Sequence, residues 1–232
     1  MSDWLTLGEW TALGLSLKVA FWAVMVSLPL GLLVGHALAR WAFWGKGLLN
    51  GLVLLPLILP PVVTGYLLLI TFGRNGAVGA WLYQATGFTF AFQWTGAALA
   101  AGVMAFPLMV RAIRLSIEAV DTRLEDAAGT LGASPAWVFV TVTLPLALPG
   151  VLAGAVLAFA KAMGEFGATI TFVASIPGQT QTVPTAIYEA LQVPGGENAA
   201  LRLVMLSVAV AMGAVFASEW LARGVARRVQ GQ

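Results

Sequence analysis

Residues 125–145 read Glu-Asp-Ala-Ala-Gly-Thr-Leu-Gly-Ala-Ser-Pro-Ala-Trp-Val-Phe-Val-Thr-Val-Thr-Leu-Pro, a charged, turn-containing island between two long apolar segments. Free charges and irregular backbone are costly in hydrocarbon, so in a chain that lives in lipid such an island belongs outside the bilayer. Ser134 before Pro135 is a helix start: the hydroxyl can accept a free backbone N–H, and proline fits the first helical position. Gly132 suits the end of the preceding helix. The pattern predicts one helix over Glu118–Leu131, a sharp turn, and a second helix from Pro135 onward. Together they make a compact knob that a soluble partner can grip, although an ordinary loop produces the same turn.

Composition places the rest of the chain in a membrane. Twelve Lys/Arg and ten Asp/Glu stand among 232 residues, 59% of which are hydrophobic, whereas soluble domains are about a quarter charged. A soluble helical protein needs polar helix faces that these segments lack. Asp3, Glu9 and the missing basic n-region do not make a cleavable signal peptide. With no cysteine and one histidine, disulfides, thiolate metal sites and most intramembrane enzyme chemistries are set aside. The basic residues cluster at helix ends, which topology explains better than nucleic-acid binding.

A spanning helix takes about 20 apolar residues. Five stretches meet this: Leu13–Ala39, Leu48–Phe72, Thr89–Val110, Ala136–Phe172 and Ala199–Ala222. Arg40, Lys46, Arg111, Arg114, Arg123, Arg223, Arg227 and Arg228 then fall on one side, against Arg74 and Arg202 on the other. Positive charge stays in the cytoplasm. The expectation is an all-α, five-span membrane protein with its N-terminus outside, its C-terminus inside and the 125–145 knob in the cytoplasm. The segments Arg74–Trp94 and Ala174–Asn198 face out. Trp81, Tyr83, Phe88 and Trp94 suit an interfacial belt, and Thr182–Gln192 suits a short helix with Pro184 in its first turn.

Two spans carry the pattern Leu-Pro-Leu-x-Leu-Pro, at 55–60 and 144–149. Each proline frees an upstream carbonyl that must find a partner or face water, as in transport paths, though prolines also serve as plain kinks. Lys161 and Glu165 are one helical turn apart within the fourth span, about 24 Å from its cytoplasmic entry at 1.5 Å per residue. Two readings stand: a gate near the outer mouth, or a self-satisfied structural bridge. His36 reads as a helix-end polar residue, and Lys18 as a cation snorkelling outward.

Asp126-Ala127-Ala128, three residues, Gly132, nine residues, then Val142-x-Leu144-Pro145 is similar to the Glu-Ala-Ala loop of ABC-importer permeases, with Asp126 and Val142 as conservative departures. A wider match resembles the permeases of molybdate importers. It includes Phe43–Lys46, Leu55–Tyr66, Phe106–Arg114, Gly164–Val173, Ile176–Pro184 and Pro194–Glu197. The Glu165–Ala168 element is also similar to sulfate permeases, so sulfate or tungstate is the alternative cargo.

The resemblance implies one permease domain over 1–232, with residues 118–145 as its cytoplasmic coupling loop. It implies a multi-pass inner-membrane homodimer, two cytoplasmic ABC ATPase subunits and an external molybdate-binding protein. ATP and Mg belong to the ATPase partner, and no Gly-x4-Gly-Lys-Ser/Thr loop occurs here. The chain itself is expected to have no catalytic residue, metal or cofactor. The coupling candidates are Glu125, Asp126, Ala127, Ala128, Gly132, Ala133, Ser134 and Pro135. The pathway candidates are Pro60, Pro61, Thr64, Lys161, Glu165, Gly167 and Thr169. With few cations in the spans, a tight anion site within them is not expected.

Overall fold

Small side chains decide which helix takes the centre. The helix α5 (Trp94–Glu118) buries Gly96, Ala97, Ala98, Ala100, Ala101, Gly102 and Ala105 and is flanked by α1 (Leu7–Arg40) and α8 (Leu144–Met163). In lipid there is no hydrophobic force between helices, so association relies on close packing through such residues. On α1, a Cβ at Gly31 would stand 2.9 Å from Met109 Sδ, and one at Gly35 would stand 2.7 Å from Ile113 Cγ2. On α8, a Cβ at Gly154 would stand 3.2 Å from the Met109 carbonyl oxygen. Ser116 donates to the Ala147 carbonyl at 2.9 Å, tying α5 to α8 near the same end.

This computed structural model describes residues 5–229, with side chains to Phe216. Asp3 and the side chains of Arg223, Arg227 and Arg228, which enter the charge argument, lie outside the described residues.

The second apolar stretch departs from the expected single span. It forms α2 (Lys46–Ile58) and α3 (Pro61–Phe72), bent by 113°. The parallel course of α1 and α5 nevertheless makes the pair one net crossing. At one end Lys18 lies 3.7 Å from the centroid of the Trp94 ring. At the other, Arg40 donates to the Val120 carbonyl at 2.8 Å. The chain between Arg40 and Trp94 therefore has to pass from one end to the other.

The fourth stretch is also interrupted. A four-residue helix α7 (Pro135–Val138) runs into a π-helical turn, Phe139–Thr143, and then α8. After a break at Gly164–Phe166 comes α9 (Gly167–Val173). The outer loops carry α4 (Gly79–Thr86), which the sequence does not announce, and α10 (Val183–Gln192), which matches expectation and has Pro184 in its first turn. The last helix is α11 (Glu197–Val229). With the bent pair counted as one crossing, the described residues supply five apolar spans.

At 34 residues, or about 51 Å, α1 is longer than a hydrocarbon core of about 30 Å. Its first turn is closed by a capping box between Thr6 and Glu9, and Glu9 pairs with Arg202 of α11 at 2.8 Å. Val183 N–H donates to Ser16 Oγ, seating α10 against the same outer end. The topology is testable because the chain has no cysteine. Asn75→Cys should react with an impermeant maleimide on intact spheroplasts, and Trp44→Cys only after permeabilisation; labelling of both from one side would refute the five-crossing arrangement.

Candidate functional site

The knob is built as a capped helix, a glycine turn and a second capped start. The helix α6 (Thr122–Thr130) begins at Asp121, whose carboxylate accepts the Arg123 N–H. This is shorter than the expected Glu118–Leu131 helix. α5 itself runs to Glu118, and the chain turns at Ala119–Asp121 because the Asp121 side chain caps a new helix start. α6 ends in a Schellman turn: Gly132 N–H donates to the Gly129 carbonyl and Ala133 N–H to the Ala128 carbonyl. Gly132 has φ +88°, a conformation open to glycine at little cost. Ser134 then accepts the Trp137 N–H, with Pro135 in the first turn, as the sequence predicts.

The π-helical turn that follows is not foreseen by the motif. Pro145 has no N–H, and its ring collides with the carbonyl four residues back in a regular helix. Widening the preceding turn, where Leu144 N–H reaches back to the Phe139 carbonyl, relieves that clash.

Among the coupling candidates, Asp126, Ala127, Gly132, Ser134 and Pro135 are exposed. Leu131 is 89% and Trp137 63% exposed. Ala128, Leu131, Gly132, Ala133, Ser134, Trp137 and Thr141 line an open recess of about 640 Å³. The recess is concave and carries the exposed apolar side chains of Leu131 and Trp137.

Glu125 is placed differently, turned toward the membrane helices and half-buried. Its carboxylate takes Arg40 Nε at 2.9 Å and the Thr143 hydroxyl at 2.6 Å. One side chain thus joins α6 to the inner end of α1 and to the π turn leading into α8. From sequence Arg40 registers only as a topological charge, and Thr143 does not stand out. The pairing runs between residues 85 apart, which no local pattern reveals.

The pathway candidates gather where two helix breaks meet. Glu165 is 3% exposed. It accepts from Lys161 Nζ at 2.9 Å and from the Ala168 N–H at 3.0 Å, bridging α8 and α9. Opposite this break lies the one between α2 and α3. A Cβ at Gly167 would stand 2.7 Å from Pro61 Cβ, and one at Gly65 only 2.6 Å from the Ala168 carbonyl oxygen. Thr64 and Thr169 are buried inside the protomer, and Thr64 Oγ1 has no partner. Pro60, Pro61 and Gly164 are exposed beside them, and Lys161 is half-buried. Among the described residues no three His, Asp or Glu side chains converge as a metal site requires. His36 packs edge-on against Phe139, its ring centroid 4.7 Å away, at the start of the π turn.

Residues 27–231 match the family described as binding-protein-dependent transport system inner membrane component. The chain is 58% identical over 219 residues to the molybdenum transport system permease protein ModB of Escherichia coli K12, covering 94% of this chain and 96% of that protein. It is 53% identical to ModB of Haemophilus influenzae, covering 95% and 96%. Among solved structures, the inward-facing MetNI methionine ABC transporter superposes with a TM-score of 0.72 at 21% identity, covering 97% of this chain and 99% of that one.

If Glu125 joins three elements, Arg40→Gln and Glu125→Gln should each lower the unfolding stability of the purified protein, and the double variant should cost less than the two combined. A coupling of about 1 kcal/mol or more is expected for a pair in direct contact. Strict additivity in the cycle would show that the two side chains act independently.

Proposed function

Because this chain belongs to the family of binding-protein-dependent transport system inner membrane components, we propose that it is the inner-membrane permease subunit of an ATP-driven molybdate importer. The observation that carries the cargo assignment is the 58% identity, over nearly the whole of both chains, to a molybdenum transport permease.

In this reading two copies form a homodimer with the anion path between them, since five crossings per chain enclose little space alone. An external binding protein delivers the anion. Two cytoplasmic ABC ATPase subunits bind ATP and Mg and dock on the knob through Asp126, Ala127, Ala128, Gly132, Ala133, Ser134 and Pro135, around the recess beside Trp137. Glu125 is the residue through which the knob pulls on the membrane helices.

The mechanism is alternating access. Closure of the ATPases moves the knob, and Glu125 carries that movement to α1 through Arg40 and to α8 through Thr143. With 20 residues, α8 is a rod of about 30 Å that ends at Lys161 and Glu165. Glu165 holds the start of α9, and α9 bears on Pro61 and Gly65 of α3. A rotation at the cytoplasmic end is thereby delivered to the two facing breaks, which form the gate together with Pro60, Thr64, Gly167 and Thr169. Lys161 is partly neutralised by Glu165, so it offers the anion attraction without a deep binding site, and selectivity rests with the binding protein.

The deciding measurement is uptake into proteoliposomes holding the complete complex and its cognate binding protein, with molybdate, tungstate and sulfate in competition. Molybdate should be taken up and sulfate should compete poorly; preferential sulfate uptake would overturn the assignment of cargo.

In the same vesicles Gly132→Leu should cut uptake severalfold while ATP hydrolysis persists. A branched side chain at positive φ costs about 1–2 kcal/mol and reshapes the docking turn without touching the spans. Wild-type uptake per ATP in that variant would argue against docking at the knob.

A further inference from the structure

Between α1, α2 and α5 runs an apolar groove of about 580 Å³, lined among others by Trp22, Leu30, Leu52, Trp94, Leu99 and Phe106. It lies away from the α3–α9 contact and plays no part in the mechanism above. Trp22, Leu30 and Leu52 are about half exposed, at 47%, 55% and 57%, so the groove opens sideways from the protomer. Along α1 it extends from Trp22 to Val34, twelve residues or about 18 Å. That is somewhat more than half of a hydrocarbon core about 30 Å thick.

The charge at its mouth narrows the choice of occupant. Lys18, one helical turn before Trp22, is exposed and lies over the Trp94 ring. Among the described residues no carboxylate pairs with it, whereas Arg40, Lys161 and Arg202 each have one. Lys18 and Arg40 are 22 residues apart on one helix, about 33 Å. With Arg40 at the cytoplasmic end, Lys18 stands at the outer headgroup level, flanked by Trp22 and Trp94 as interfacial aromatics usually are. A single cation above a narrow apolar slot one leaflet deep complements an anionic headgroup bearing an acyl chain.

We propose that this groove is a binding site for an anionic phospholipid of the outer leaflet, with its phosphate on Lys18 beside Trp94 and one acyl chain between α1, α2 and α5.

The test uses the complex of permease and ATPase in nanodiscs of mixed phosphatidylglycerol and phosphatidylcholine, released for native mass spectrometry. The wild-type complex should retain phosphatidylglycerol over phosphatidylcholine by about fivefold, the effect expected of one lysine at a membrane surface. Lys18→Gln should abolish that preference, Lys18→Arg should keep it, and Leu99→Trp, which fills the slot, should reduce retention of both lipids. Unchanged preference in Lys18→Gln would overturn the proposal. So would an efficient disulfide between two copies of Leu30→Cys in native membranes, because a second chain would then occupy the groove.

Discussion

A helix cannot be interrupted within a bilayer unless the N–H and C=O groups it releases find partners, because hydrocarbon supplies none. This chain breaks two of its five crossings and meets the requirement by two different means. Between α2 and α3 the break falls on Pro60 and Pro61, which have no N–H to lose, and the Pro60 carbonyl accepts from Val63 and Thr64. Between α8 and α9 the Glu165 carboxylate receives the Ala168 N–H, and Lys161 balances its charge. The two solutions lie face to face, in contact at Gly65 and Gly167. Each break is therefore supported by the other.

The same economy appears at the other end of α8. Glu125, like Glu165, is a carboxylate that secures a change of helix direction and takes its charge partner from a spanning helix. One lies before α8 and the other after it, so α8 is held at both ends by side-chain bonds to neighbouring elements. The small residues of α5 leave close helix-to-helix contacts along its length.

Much of this is legible in the residues. Low charge and long apolar runs announce the spans. Ser134-Pro135 and Gly132 mark their turn correctly because capping is chemistry within a few residues. The errors are of one kind. The helix before Gly132 reads as starting at Glu118, since nothing local distinguishes the end of α5 from the start of α6 except Asp121. The prolines of the second span mark an interruption, but how far the chain turns there is decided by its neighbours.

What the sequence by itself determined was membrane residence, the apolar spans and the helix-turn-helix of the knob. These follow from solvation and from backbone chemistry within one or two helical turns. Only the tertiary structure decided the partners of Glu125, the meeting of the two broken helices and the 113° bend. Each depends on residues tens of positions apart, and Arg40 reaches Glu125 only after α1 and α5 have packed in parallel through glycine and alanine. Short-range chemistry chose the pieces; close packing among small side chains chose their neighbours.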